Sequence, residues 1–233
     1  MHIFYTPHIE GNLVKLDEKE SRHSVKVLRI KQGSRVYLVD GQGGFYEGAV
    51  VDADPKGCAV KVEQKYDDFE QRSYFLHLAV APTKQIDRFE WMLEKAVEIG
   101  VDEITPFTGF HSERRKLKYE RLERIIISAM KQSLKAYKPR LNPLVTFQEM
   151  LEKAREEYRF IPHCRNFERQ KMNNLYVAGK SVFIAIGPEG DFSEQEVATA
   201  LERNFQSVSL GSSRLRTETA GVAACHTVYL ANQ

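Results

Sequence analysis

The sequence predicts an α/β fold: a C-terminal parallel sheet covered by helices over residues 71–233, preceded by a small β domain, barrel or sandwich, over residues 1–70. Three observations predict it. Up to about Tyr66, short β-branched and aromatic runs alternate with Gly/Asp turn clusters, as in small all-β domains. Beyond it, near-continuous apolar runs alternate with segments of helical period, the signature of strands buried on both faces and joined by crossover helices. Between the two patterns lies the polar stretch Asp67–Arg72, which reads as a linker.

In order, Ser21–Ile30 predicts a short helix, and Arg35–Val39, Phe45–Val51 and Cys58–Lys65 predict strands, separated by turns at Asp40–Gly44 and Asp52–Gly57. Tyr74–Val80 is the first buried strand. Phe89, Met92, Leu93, Ala96 and Val97 then repeat at helical spacing, with Gly100 placed to end that helix. Ile104–Phe107 follows as a strand, and Leu122, Ile125, Ile126, Ala129 and Met130 mark one face of a helix from about Leu117 to Ala136. Thr146 and Glu149, then Ser193 and Glu196, have the spacing of capping boxes that open helices, the second running to about Arg203. Arg159–Pro162, Ser181–Ile186 and Val208–Leu210 are the remaining strands, and a last helix covers roughly Thr217–Tyr229.

Composition narrows the class. Apolar residues are 42% and charged residues 28%, a globular balance. The apolar run Val182–Ile186 is far too short to span a bilayer, and the N-terminal residues lack the pattern of a signal peptide, so a cytoplasmic protein without a membrane partner is expected. Cys58, Cys164 and Cys225 have no metal-binding spacing, and neither a disulfide framework nor a metal is expected. Net charge is only +2, but it is unevenly spread. Arg22–Arg35 holds five Lys/Arg and no carboxylate, and His111–Arg140 holds ten against three Glu. Two basic zones on a nearly neutral chain suggest polyanion contact on chosen faces, although solvated helix faces carry charge runs too.

Ligands of parallel α/β sheets sit in loops after the strands, here after Val80, Pro162, Ile186 and Leu210. After Ile186, Gly187 and Gly190 bracket Pro188 and Glu189, letting the backbone turn sharply and approach a ligand. After Leu210, the segment Gly211–Gly221 combines two arginines, small hydroxyl residues and a helix start, and is longer and more polar than packing requires.

These two loops resemble the paired signatures of the SPOUT methyltransferase superfamily, and within it the family that methylates N3 of a uridine in 16S ribosomal RNA. Ala79–Lys84 with Arg88 and Glu94–Gly100 resembles that family's opening strand and helix. Arg22, His23, Val27–Ile30, Gly33, Asp40 and Gly41 resemble its PUA-like RNA-binding domain, so the likeness covers nearly the whole chain. The chain departs from the family pattern at Ser213–Arg214 and at Leu134–Lys135, where it keeps positive charge nearby. The resemblance implies a C-terminal trefoil knot, a PUA-like β-barrel in front, S-adenosylmethionine as cofactor and a homodimer. It implies that Gly187, Pro188, Glu189 and Gly190, continuing from Ile186, form one wall of the cofactor site. Leu210, Gly211, Leu215, Arg216, Thr217 and Ala220 form another, with Ile161, Pro162 and His163 as a third edge.

Uracil N3 is a poor nucleophile until its proton is lost, so the enzyme must orient N3 and stabilise the anion. Arg216 and Arg88 are the first candidates, with Glu189 and Glu218 as orienters or proton acceptors. Phosphate grip is expected from Arg22, His23, Lys26, Arg29 and Lys31 and from Lys84, Arg114, Arg115 and Lys116, with the small ribosomal subunit as substrate. Phe45 or Tyr46 is a candidate base-stacking ring, or else core, and Trp91 reads as core or dimer packing. Two rival functions remain open, a non-catalytic RNA-binding protein and a ribose 2′-O methyltransferase of the same superfamily. Nucleotide hydrolysis is disfavoured because no phosphate-binding loop motif is present.

Overall fold

The computed structural model describes residues 1–233 and divides into two compact units, Met1–Gln71 with Ile127–Lys138, and Arg72–Ile126 with Pro139–Gln233. The first unit contains β1 (Ile3–Tyr5), β2 (Leu13–Lys15), α1 (Glu18–Arg22), a π-helical turn (His23–Val27), β3 (Arg35–Val39), β4 (Phe45–Asp52) and β5 (Ala59–Tyr66). Its five-stranded sheet runs β1-β3-β4-β5-β2; β1 pairs parallel to β3 and the other pairs are antiparallel. Alternate residues such as Val36, Leu38, Val50 and Val60 bury one face against Phe4, Leu16 and Ile30.

The single helix expected over Ser21–Ile30 is instead α1 followed by the π turn. Asp17 caps α1 by accepting from the Glu20 N–H at 2.7 Å. The Ser21 hydroxyl donates to the Leu16 carbonyl and accepts from the Cys58 N–H, which ties α1 to the segment that leads into β5. β-branched Val25 and Val27 then follow, residues that disfavour a regular α-helix. Phe45 and Tyr46 are buried, so neither serves as a base platform. Phe45 stacks on Phe69 at 4.3 Å between centroids, and the Tyr46 hydroxyl donates to Asp40. Phe69 also draws the expected linker onto the sheet, donating its N–H to the Gly43 carbonyl. The segment Ile127–Lys138 packs into this unit through an ion pair of Lys131 with Glu20 (2.6 Å) and a hydrogen bond from the Tyr137 hydroxyl to Asp68. The Tyr137 ring leaves no room for a side chain at position 43: a Cβ there would lie 2.5 Å from it, and Gly43 has a φ of 104°.

The second unit contains β6 (Leu76–Val80), α2 (Ile86–Ile99), β7 (Glu103–Thr108) and the first turns of α3 (Tyr119–Gln132). It continues through β8 (Arg140–Leu141), β9 (Val145–Thr146), α4 (Phe147–Lys153), β10 (Tyr158–Pro162), β11 (Gln170–Lys171) and α5 (Met172–Leu175). It ends with β12 (Val182–Ile186), α6 (Glu194–Glu202), β13 (Gln206–Ser209) and α7 (Thr217–Ala231). Every strand pairing is parallel, in the order β11-β13-β10-β12-β6-β7-β8 with β9 also on β7. β6 and β12 are buried along their whole length, as their unbroken apolar runs require. Both capping boxes form, at Thr146/Glu149 and Ser193/Glu196, and Gly100 ends α2 with a φ of 123°. α2 and α7 pack closely at Gly221, where a Cβ would lie 2.6 Å from the Met92 sulfur. Trp91 stands on the outer side of α2, 46% exposed and outside the core.

Candidate active site

Because β13, β10 and β12 lie side by side and parallel, their ends at Ser209, Pro162 and Ile186 deliver three loops to one edge of the sheet. They enclose a cavity of about 910 Å³. Its walls are Pro162, His163, Cys164, Phe167 and Arg169 from the first loop, Ile186–Glu189 and Asp191 from the second, and Val208–Thr217 with Ala220 from the third. Arg88 of α2 completes it. Two of the residues expected here do not line it: Ile161 is fully buried in the hydrophobic core, and Gly190, between the lining residues Glu189 and Asp191, packs against His111. The loop after Val80 contributes no wall, yet its Lys84 N–H donates to Glu189 Oε1 at 2.9 Å.

The second loop is held on every side. The Gly187 carbonyl accepts the buried Thr217 hydroxyl at 3.0 Å, joining second and third loops. A Cβ at Gly187 would press on the Phe192 ring at 3.0 Å. Asp191, with a φ of 64°, accepts the N–H groups of Phe192 and Cys164, both at 2.8 Å. Arg165 donates to the carbonyls of Phe192 and Gly190.

The third loop is left open. Gly211 has a φ of 141°, and Gly211–Leu215 make no backbone hydrogen bonds within the chain. Arg214 and Arg216 are exposed. Unused backbone donors and acceptors, set among Ile186, Pro188, Leu210, Leu215 and Ala220, are the lining that a mixed polar and apolar ligand of moderate size requires, and the volume is in the usual range for one. The residues present therefore fit S-adenosylmethionine, with Gly187–Glu189 and Leu210–Thr217 as the holding segments.

Arg88 Nε lies 3.8 Å from Glu218 Oε1, in the first turn of α7. Glu218 is buried and its other oxygen has no hydrogen-bond partner. His163 is buried beside the cavity, which pushes its pKa down. The Arg165 N–H donates to His163 Nδ1, so Nε2 carries the proton and donates to Ser207.

Among the expected RNA contacts, Arg22, His23, Lys26, Arg29 and Lys31 are all exposed on the first unit, with Arg22 paired to Glu18. In the second unit Lys84 pairs with Glu113, and Arg114 donates to the carbonyls of Thr83 and Lys84, bracing the loop after β6. Arg115 and Lys116 are exposed. Phe167, Arg169 and Asp191 line the cavity without having been singled out. The signal that finds them is their place within a few residues of the same three strand ends.

An RNA methyltransferase domain model matches residues 70–229, and an RNA methyltransferase PUA domain model matches residues 16–63. The chain is 31% identical over 228 residues to the ribosomal RNA small subunit methyltransferase E of Mesomycoplasma hyopneumoniae, covering 95% of this chain and 96% of that protein. A crystal structure of a probable rRNA-methyltransferase from Porphyromonas gingivalis matches with 44% identity and a TM-score of 0.92, covering 100% of this chain and 98% of the other. The ribosomal RNA small subunit methyltransferase E of Neisseria gonorrhoeae, crystallised bound to S-adenosyl methionine, matches with 29% identity and a TM-score of 0.90, over 100% of this chain and 98% of that one. With a matching domain model over most of its length and relatives aligned nearly end to end, this chain belongs to the ribosomal RNA small subunit methyltransferase E family of RNA methyltransferases.

Proposed function

We propose that the protein transfers the methyl group of S-adenosylmethionine to N3 of a uridine in 16S ribosomal RNA, acting on the small ribosomal subunit in the cytoplasm. The observation that carries this reading is the cavity in which Arg88 and Arg216, two of its four lining arginines, stand among loops with unused backbone hydrogen-bonding groups. When bound, the cofactor supplies an electrophilic methyl on a cationic sulfonium. Arg216 and Arg88 are the catalytic residues of the proposal: each offers a permanently charged donor fork to the negative charge left on the ring when N3 loses its proton. Glu189 holds the two loops in register through the Lys84 N–H and is a positioning residue. The first unit, with Arg22, His23, Lys26, Arg29 and Lys31 exposed, grips RNA phosphates, joined by Arg115 and Lys116. The C-terminal segment forms the trefoil knot of the superfamily. Two copies associate through the second unit, where Trp91 on α2 and Leu230 on α7 are exposed apolar side chains.

The test is methylation of small subunits from a strain lacking the enzyme, with labelled S-adenosylmethionine and nucleoside mass spectrometry. A 3-methyluridine product, lost in Gly187→Trp, is expected. Label in a 2′-O-methyl nucleoside overturns the acceptor, and absence of both transfer and cofactor binding overturns the enzyme.

A further inference from the structure

The loop after β7 leaves the sheet at the same C-terminal edge as the cavity loops, since β7 runs parallel to β6 and β6 to β12. At its start stands Phe110, 74% exposed and more exposed than any other large hydrophobic side chain of the chain. A single exposed apolar residue is unremarked on most surfaces. Here the backbone beneath it is fixed. The Phe110 N–H donates to Glu196 Oε1 at 2.8 Å, and the other oxygen of that carboxylate closes the capping box of α6. The preceding Gly109 N–H donates to the Ser112 hydroxyl, and the Ser112 N–H returns to the Gly109 carbonyl. The next residue, His111, meets the Phe110 ring edge-on at 4.9 Å and hydrogen-bonds the Asp191 carbonyl through Nδ1. His111 also packs on Gly190, between the cavity residues Glu189 and Asp191. An aromatic ring is therefore held in water on a rigid support, one side chain from the wall of the cavity. Exposed Arg115 and Lys116 follow within the same loop.

We propose that Phe110 is a stacking platform for an unpaired base adjoining the nucleotide that enters the cavity, with Arg115 and Lys116 on the flanking phosphates. Every base offers a π-face to an aromatic ring, and cations beside the ring match a polyanion rather than an apolar protein surface. The proposal rests on the RNA methyltransferase reading above and adds the position where a neighbouring base is held.

The experiment compares wild type, Phe110→Ala, Phe110→Leu and Phe110→Tyr on small subunits from the deficient strain, recording KM for the subunit, kcat, cofactor Kd and molar mass in solution. Stacking predicts a rise in KM of roughly 5- to 150-fold for Ala and Leu, with Tyr near wild type and cofactor Kd unchanged. A Leu variant equal to wild type, or a KM for Ala within about twofold of wild type, overturns it, twofold being under half a kcal/mol. A changed molar mass in Phe110→Ala also overturns it, assigning the ring to contact between copies. A second measurement does not depend on methyl transfer. Emission of Phe110→Trp, above the Trp91 background of the wild-type protein, is quenched on adding oligouridylate if the platform stacks bases, and its failure to respond overturns the proposal. An active wild type with unresponsive variants refutes only the platform, whereas an inactive wild type refutes the methyltransferase reading.

Discussion

Thr217 and Gly187 are thirty residues apart in sequence, and a buried hydrogen bond of 3.0 Å from the Thr217 hydroxyl to the Gly187 carbonyl joins them. One lies at the start of α7 and the other just past the end of β12, so this bond sets the spacing of two cavity walls. The Gly187 carbonyl, buried with its residue, depends on that hydroxyl.

Thr217→Val keeps the shape of the side chain and removes the donor. Leaving a buried carbonyl unsatisfied costs about 1–3 kcal/mol, so urea unfolding is expected to register that loss and calorimetry a weaker cofactor affinity. Thr217→Ser restores both. Wild-type cofactor affinity in the Val variant would show that the bond does not shape the cavity.

Gly187→Ala tests the wall itself. The added Cβ meets the Phe192 ring at 3.0 Å, and that ring is fully buried and stacked on Phe107 at 6.0 Å with 5° between planes. The ring has no free direction in which to yield, so the loop must shift. A drop in cofactor affinity of about tenfold or more, some 1.4 kcal/mol, is expected by calorimetry. An unchanged Kd would mean that the loop backbone does not touch the cofactor.

Arg216→Ala and Arg88→Ala are each expected to lower kcat by about 10²–10³-fold while cofactor Kd stays within a few-fold. Arg88 lies beside buried Glu218, so Glu218→Gln combined with Arg88→Ala should be strongly non-additive, with a coupling of about 0.5–3 kcal/mol. Additive losses in kcat would separate the two residues.

His163 predicts a pH effect on stability. Burial depresses its pKa in the folded protein, whereas in the unfolded chain it titrates near about 6.5. Above that value both states are neutral and His163 adds no pH dependence. As pH falls below it, the unfolded state takes up the proton first, and stability is lost down to the lower pKa of the folded state. The melting temperature should therefore fall between about pH 7 and 5, with a shallower slope in His163→Gln. Equal slopes would assign the acid sensitivity to other groups.

Much of the fold is legible because its signals are local. A capping box is a matter of three-residue spacing, so Thr146/Glu149 and Ser193/Glu196 were readable and form as read. Gly100 ends α2 because glycine alone enters that backbone region without strain, and the apolar runs of β6 and β12 declare strands with no exposed face. The Gly187–Glu189 and Gly211–Thr217 segments could be singled out because each follows a strand and is richer in glycine and charge than a connection needs.

The sequence by itself thus determined the order and kind of the main elements, the family and the segments that form the cavity. Tertiary structure alone decided which groups are free to act. Glu189 is engaged by Lys84, 105 residues away, and Arg114 braces carbonyls that a charge count cannot foresee. Burial removed Phe45 and Tyr46 from the surface, while folding left Phe110 in water and packed Ile127–Lys138 into the first unit. The physical reason is one of range. Propensity, capping and periodicity act within a few residues, whereas burial and hydrogen-bond partnership depend on segments brought together only when the sheet order is set.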